Sequence, residues 1–280
     1  HLQVLQWLHQ QGTRCNSTTA DLAAWNGHFE VVQWLHERGI QCSRTGANKT
    51  AGTGFLHILQ WLLVEQGIRC DSYGADLAAS QGHLQVLQWL HQQGTRCNST
   101  AADLAALNGH LDVVQRLYEA GIQCTLTGAN ACAEKGFLQM LQLLQRQGIT
   151  CSVDAAITAA KHGHQLVVQW LHMQGITCTV EGANEAAGAG QLAVLKSIYH
   201  ECEVKCNAIG ANLAAANSRL DVLQWLHSVG IRATTDAANA AAFRGDLDVV
   251  QWLHHEGIKC NDAGVTEAEQ IVHYRNTLSV

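Results

Sequence analysis

The sequence predicts an all-α solenoid in which helix-turn-helix repeats stack along the chain. Residues 100–124 show the repeating unit: an Ala-rich helix, a turn, a longer helix and an apolar tail (TAADLAALNGHLDVVQRLYEAGIQC). Glycines recur in two columns at steps of 27 or 28 residues, one column in the turn and one after the longer helix. The composition, 47% hydrophobic and 14% charged, is that of a folded chain.

Each element of the unit has a local reason. The first helix, predicted over 100–107, ends at the Asn108–Gly109 turn, and the second helix, predicted over 110–120, ends at Gly121. Glycine fits the left-handed conformation that closes a helix, because it has no Cβ to clash. Threonines near the start of several first helices are predicted to be N-caps. These are Thr18, Thr45, Thr100 and Thr127.

The glycine columns divide the chain into about ten units. We predict ten second helices and nine first helices over residues 1–262, then a charged capping helix and tail over residues 263–280. Cys202 stands where the other units have the glycine after the second helix. Residues 1–28 and 83–110 differ at only two positions, which indicates growth by copying of three-unit blocks. Because the chain opens inside a second helix, we expect a fragment of a larger chain or complex.

Apolar residues cover a wide arc of each second helix. In one unit they are Phe29, Val31, Val32, Trp34 and Leu35. An arc wider than the usual stripe of about 100° is needed when a helix is flanked on both sides, as in a stack. The first helices are rich in alanine, which allows their neighbours to pack closely.

These residues resemble the ankyrin repeat. GHLDVVQRLYEAG at 109–121 is similar to that family's second helix, and TAADLAA at 100–106 stands where the family has T-P-L-H-x-A-A. The resemblance covers residues 1–262, but the period is about 27 instead of 33 residues and the family's first-helix Pro and His are missing. It implies an ankyrin-like α-solenoid with truncated β-hairpin fingers. It also implies a protein-protein interaction scaffold, with a partner bound on the concave face of the first helices.

Cysteine recurs once in almost every unit, in the apolar tail. Equivalent residues on stacked helices lie about 8–10 Å apart, whereas a disulfide needs Cα atoms closer than about 7 Å. We therefore interpret the cysteines as small buried residues with free thiols, and regard a zinc or redox role as the minor alternative. Free thiols indicate an intracellular, cytoplasmic location, and a nuclear one fits equally well. The column is Cys15, Cys42, Cys70, Cys97, Cys124, Cys151, Cys178, Cys206 and Cys260.

Four further columns have structural interpretations. Trp and His recur on the second helices, where we expect them at the edge of the core; an exposed aromatic stripe for a partner is the alternative to this. A second histidine column opens the second helices and is expected to cap or pack them. An Asp/Asn column on the first helices is expected to hydrogen-bond the backbone of the adjacent unit's loop. Its members are Asp21, Asn48, Asp76, Asp103, Asn130, Asn184, Asn212 and Asn239.

Composition and motifs argue against several classes of function. Catalysis needs unlike groups that converge on one point, whereas this chain repeats like groups at fixed intervals, so we predict no enzyme, no catalytic residue, no metal and no cofactor. A net charge of −6 without a basic cluster argues against nucleic acid. No apolar run is long enough to span a membrane.

The remaining hypothesis is binding of a partner protein, whose identity the sequence does not give. The two residues before each turn glycine vary most between units, and the resemblance implies that they line the concave face. The favoured candidates are Glu134, Lys135, Lys161 and His162, with Trp25, Asn26, Phe243 and Arg244 as further ones. The alternative is a structural spacer or assembly subunit without a dedicated patch, which the near-identical units favour.

Overall fold

The structure is a computed structural model that describes residues 1–262 and 264–266. Nineteen helices lie wholly within this part of the chain, residues 262 and 264–266 are also helical, and no strand occurs among the described residues. The helices alternate between first and second helices, nine and ten of them respectively, which confirms the all-helical repeat prediction for the described residues. The capping helix predicted within 263–280 lies outside the described residues, apart from positions 264–266.

The first helices are α2 (Ser17–Trp25), α4 (Arg44–Gly52), α6 (Ser72–Ser80), α8 (Ser99–Leu107), α10 (Leu126–Glu134), α12 (Val153–Lys161), α14 (Val180–Ala189), α16 (Ala208–Ala216) and α18 (Thr235–Arg244). The second helices are α1 (Leu2–Gln10), α3 (Phe29–His36), α5 (Leu56–Gln66), α7 (Leu84–Gln92), α9 (Leu111–Glu119), α11 (Leu138–Arg146), α13 (Gln165–Met173), α15 (Leu192–Glu201), α17 (Leu220–Ser228) and α19 (Leu247–His255). The expectation that the second helix is the longer one is wrong for the reference unit, because α8 and α9 both have 9 residues.

The glycine columns close the helices as predicted. Gly109 has a φ of 81°, and the amides of Gly109 and His110 donate to the carbonyls of Ala106 and Ala105 at 3.0 and 2.9 Å. This pair of bonds is a Schellman ending, which satisfies two carbonyls that the helix leaves free. Two non-glycine residues have the same left-handed conformation, Ser218 at φ 61° and Glu203 at φ 57°. Glu203, and not Cys202, therefore takes the capping conformation after α15.

Contacts divide the chain into two compact units, residues 1–129 with 139–150, and residues 130–138 with 151–280. In the first compact unit α2, α4, α6 and α8 pack side by side in chain order, and each packs on the second helix that follows it. In the second compact unit α12, α14, α16 and α18 do the same. Each compact unit therefore has a layer of first helices lying against its second helices.

The core of each repeat consists of small residues from the first helix and branched residues from the second. Ala20 and Ala24 of α2 have no exposed surface, and neither do Val32 and Leu35 of α3. Alanine allows the first helices to approach closely, and at some positions even a methyl group is too large. A Cβ at Gly52, for example, would lie 3.0 Å from the Leu77 side chain of the next repeat.

The Asp/Asn column connects successive repeats, as predicted. Asp103 on α8 accepts hydrogen bonds from the backbone amide and the hydroxyl of Thr125, each at 2.7 Å. Asn130 and Asn212 make the same backbone bond, in which the side-chain oxygen accepts from the amide 22 residues on. Their second bond has the opposite direction, because Nδ2 donates to the hydroxyl there. In these repeats the extended residue that precedes the next first helix is thereby fixed.

That residue is also the N-cap of the next first helix. Asn16, Ser43 and Asn98 precede α2, α4 and α8, and each accepts a backbone amide of the first turn of its helix through its side chain. The prediction that Thr18, Thr45 and their equivalents are N-caps is wrong by two residues. The physical reason is visible at Ser43, which Asp21 holds in the extended conformation that an N-cap needs by accepting from its amide and its hydroxyl.

Candidate functional site

The predicted binding residues lie at the C-terminal ends of the first helices. Trp25 is the last residue of α2, Glu134 of α10 and Lys161 of α12, while Phe243 and Arg244 end α18. Of the eight predicted residues, Trp25 is half-buried and the other seven are exposed. The helix ends are held by buried alanines of the preceding turn, so these side chains stand on a rigid support.

Trp25 and Asn26 belong to the first compact unit. The Lys49 ammonium of the next repeat lies 4.3 Å from the centroid of the Trp25 ring, a cation–π contact between adjacent first helices. Asn26 donates its Nδ2 to the Leu22 carbonyl at 2.8 Å and so caps its own helix. The accessible apolar group here is therefore the part of the indole that the lysine leaves uncovered.

The four favoured residues lie in the second compact unit. The Lys161 ammonium pairs with the Glu185 carboxylate of the next repeat at 3.0 Å. Nδ1 of His162 is 2.9 Å from the Thr158 carbonyl, so the ring is held against its own helix. Glu134 takes part through its backbone, because its carbonyl accepts a hydrogen bond of 2.8 Å from Nε2 of His164. The structure thus links Glu134 to the turn that carries Lys161 and His162.

Phe243 and Arg244 do not join that cluster, because α14 and α16 lie between α12 and α18. Phe243 is 52% exposed. The Arg244 guanidinium donates to Oδ1 of Asn217 at 2.9 Å and to the Ala216 carbonyl at the end of the preceding first helix. Arg244 is therefore partly a connection between repeats, and Phe243 is the more accessible group of this pair.

The arginine contact belongs to a recurring pattern that the sequence reading missed. Asn108 donates to the Ser80 carbonyl at 2.9 Å, and Asn217 donates to the Gly188 carbonyl at 3.0 Å. In each case the second residue of a variable pair reaches back to the previous repeat. A donor-capable side chain recurring at this position was the available signal. The first residue of each pair is consequently the better candidate for contact with a partner.

The histidines that open the second helices pack and do not cap. His83, His110 and His164 are N-cap residues without a side-chain capping bond. The imidazoles instead lie over the turn glycines of the previous repeat; a Cβ at Gly82 would lie 2.5 Å from Nδ1 of His110. Nε2 of His110 is 3.1 Å from the Ser80 carbonyl. These histidines therefore hold successive turns together.

The tryptophan and second-helix histidine columns meet edge to face. His9 contacts Trp34, His36 contacts Trp61 and His227 contacts Trp252, with ring centroids 5.2–5.5 Å apart. Most of the tryptophans are half-buried or nearly buried, whereas Trp7 of α1 is 58% exposed. Packing between repeats accounts for these two columns wherever the contact is made.

The cysteines are free thiols, and several are buried. Burial, with a smaller contribution from nearby Asp21, raises the pKa of Cys42 to about 12. Burial likewise raises the pKa of Cys124 and Cys178 to about 12. Such thiols are protonated at neutral pH, and a thiol in that form is a poor nucleophile and a poor metal ligand.

Neither a metal-binding cluster nor a membrane-spanning helix occurs among the described residues. No group of three or more His, Cys, Asp or Glu side chains among them is arranged to hold a metal ion. In the same part of the chain, no helix has the length and hydropathy that a membrane crossing requires.

The fold and its surface define a helical repeat protein with variable side chains presented at the ends of its first helices. A sequence model described as ankyrin repeats (many copies) matches residues 1–36 and 75–117. The same helix pair, glycine turns and connecting Asp/Asn side chains recur over the described repeats outside these segments. Residues 1–36 and 75–117 are thus similar to the ankyrin repeat family, and the helical repeats around them have the same arrangement. A search of curated proteins found no match.

Proposed function

We propose that this chain is a scaffold that binds a partner protein through the C-terminal ends of its first helices, the concave face of the ankyrin resemblance. Ankyrin repeats are generally protein-protein interaction modules. The observation that carries the proposal is the contrast between a nearly constant frame of buried alanines and the exposed, unlike side chains at the helix ends. Such a surface can differ from repeat to repeat without loss of the fold.

The favoured contact area is formed by Glu134, Lys135, Lys161 and His162. Both signs of charge are present there, which favours a polar and mixed-charge partner surface. Trp25 and Phe243 are aromatic groups at equivalent helix ends, and aromatic side chains are common anchors of protein interfaces. We place the protein inside the cell, in the cytoplasm, since its thiols are free.

Affinity capture from a native extract, with the chain as bait, tests the proposal. The test variant carries alanine at Glu134, Lys135, Lys161 and His162. The matched control variant carries alanine at Lys196, His200, Glu201 and Lys205, which are exposed and have the same charges but lie on and after second helix α15. Helical content by circular dichroism checks that both variants fold.

A partner that the parent and the control retain, and that the test variant loses, supports the proposed face. A partner lost only by the control variant contradicts that face, because binding would then depend on the second helices. No partner with any bait would contradict the scaffold proposal. It would favour the alternative of a structural spacer, which the near-identity of residues 1–28 and 83–110 also favours.

A further inference from the structure

An aromatic cluster fills the space between second helices α3 and α5 in the first compact unit. Phe29 meets the His57 ring at 5.5 Å and the Trp61 ring at 5.6 Å, both nearly perpendicular. His36 also meets Trp61, at 5.2 Å and edge to face. The Trp61 indole thus contacts two rings of the preceding repeat and joins the two helices.

The equivalent positions 82 residues later in the chain have lost most of these rings. Leu111 stands in place of Phe29, Gln139 in place of His57, and Leu143 in place of Trp61. These residues lie on α9 and α11, in the same compact unit. The helix pair is retained, but the indole that would lie between the helices is absent.

A groove of about 440 Å³ opens at this place. Leu111 and Leu143 provide its apolar surface, and Leu111 is 36% exposed. Asp112 and Arg146 are the charged groups at its rim, and both are exposed. The other lining residues are the amides Gln115, Gln139 and Gln142.

We propose that this groove between α9 and α11 receives a tryptophan side chain of a partner protein. The reason lies in the chain itself, because its own Trp61 occupies the equivalent place between α3 and α5. A flat apolar ring fits a slot between two parallel helices, and the indole N–H needs an acceptor at the edge of the slot. The Asp112 carboxylate and the glutamine side chains provide acceptors there.

This inference rests on the proposed scaffold function, but it concerns a different surface, formed by second helices. Arg146 adds a further preference. Val64 of α5 is the residue equivalent to Arg146 of α11. The groove therefore has a guanidinium where the pair of α3 and α5 has an aliphatic side chain. A guanidinium stacks well on an aromatic face, so this change also favours an aromatic occupant over an aliphatic one.

The test uses N-acetyl-L-tryptophanamide as a probe on the full chain with ¹³C-labelled leucine methyl groups. Saturable shifts of the Leu111 and Leu143 methyl signals are expected. N-acetyl-L-alaninamide at the same concentration should not produce them. The Leu143→Trp variant fills the groove from within and should weaken binding of the probe at least tenfold, read on Leu111. Equal shifts with both probes, or unchanged binding by the variant, would overturn the proposal.

A second variant guards against a misfolded Leu143→Trp protein. Leu111→Ala removes an exposed side chain from the groove and should also weaken binding of the probe. Its circular dichroism spectrum should remain the same as that of the parent. Undiminished binding by a folded Leu111→Ala protein contradicts the proposed site. Sedimentation of the parent is measured with and without the probe. If the probe dissociates a dimer, the occupant of the groove is a second copy of the chain, and this outcome also contradicts the assignment to a partner protein.

The two proposals fail separately. In the capture experiment described above, a partner retained by Leu143→Trp but lost by the first-helix variant refutes the groove and keeps the scaffold function. A partner lost by Leu143→Trp supports the groove. Absence of any partner with every bait contradicts the scaffold function and the assignment of the groove to a partner protein, whereas specific probe binding would still identify the groove as a site for an aromatic side chain.

Discussion

Asp76→Asn is expected to stabilise this protein, because Asp76 is a member of the Asp/Asn column with a buried oxygen that lacks a partner. Its Oδ1 is buried and has no hydrogen-bond partner among the described residues. The facing cap residue is Asn98, whose Oδ1 already accepts the Thr100 amide at 2.9 Å. The Asp76 carboxylate has no N–H to donate to that oxygen, whereas an asparagine side chain would have one. Burial, and secondarily the Asp71 carboxylate, raises the pKa of Asp76.

An asparagine at position 76 should reproduce a pair that the chain already contains. Asn184 donates its Nδ2 to Oδ1 of Asn207 at 3.0 Å, and the Asn207 amide donates to Oδ1 of Asn184 at 3.2 Å. Asn207 is the equivalent of Asn98. One added neutral hydrogen bond contributes about 1 kcal/mol net, so Asp76→Asn should raise the free energy of unfolding of this region by about 1 kcal/mol at pH 7.

The pH dependence gives an independent check. A carboxyl whose pKa is raised on folding binds its proton more tightly in the folded state. The resulting stabilisation is fully present below the unfolded value, about 3.9, and is lost as the pH rises through the folded pKa. The parent should therefore gain stability relative to Asp76→Asn on acidification, and the advantage of the variant should shrink between pH 7 and pH 4.

Amide hydrogen exchange of α6 and α8 is the appropriate assay, since repeat arrays need not unfold in two states. Urea denaturation followed by circular dichroism accompanies it. The reverse change, Asn184→Asp, is the matched control and should destabilise α14 and α16 by a similar amount. A neutral or destabilising Asp76→Asn at pH 7, or an advantage that does not depend on pH, would refute the reasoning.

Further predictions concern a close contact, two residues with positive φ and a buried thiol. Gly46→Ala should lower the free energy of unfolding by about 1–3 kcal/mol, because the new methyl group would overlap the Asp21 carboxylate; an unchanged urea midpoint would contradict this. Glu203→Gly and Ser218→Gly should each raise it by about 1 kcal/mol, because both residues have positive φ, and a lower urea midpoint for either variant argues against strain there. Since the pKa of Cys42 is raised to about 12, iodoacetamide should label it at least tenfold more slowly in the native protein than in urea at pH 8.5, by peptide mass spectrometry. Equal rates would show that this thiol is accessible. The same pKa shift predicts stability that is lost as the pH rises above about 8.5.

Patterns local in sequence predicted the repeat well. The turn glycines, the alternation of helices and the alanine-rich first helices follow from backbone conformation and from periodicity, which neighbouring residues determine. The role of the Asp/Asn column was also predictable, because a polar residue at a fixed place in every repeat needs a partner at a fixed place in the next. The N-caps were placed two residues late, because the bond from Asp103 to Thr125 that fixes the cap crosses between repeats.

The candidate site was predictable only in part. Variation between repeats indicated the ends of the first helices, and the structure places Glu134, Lys161 and Phe243 there with exposed side chains. Sequence variation did not reveal that Arg244 reaches back to the preceding repeat, or that Lys161 pairs with Glu185. These contacts join residues about one repeat apart, and the one-dimensional pattern does not give their distances.

The sequence alone determined the repeat, its period, the helix-closing glycines and the resemblance to ankyrin repeats, because each depends on residues close in the chain or on exact recurrence. Tertiary structure decided which equivalent residues do different work. Leu111 and Leu143 are ordinary apolar residues in the sequence. In the structure they stand where an earlier repeat pair has the rings of Phe29 and Trp61, and a groove is open between their helices. The physical reason is that the volume of a cavity depends on the side chains of two helices together, so it cannot be read from any single position in the chain.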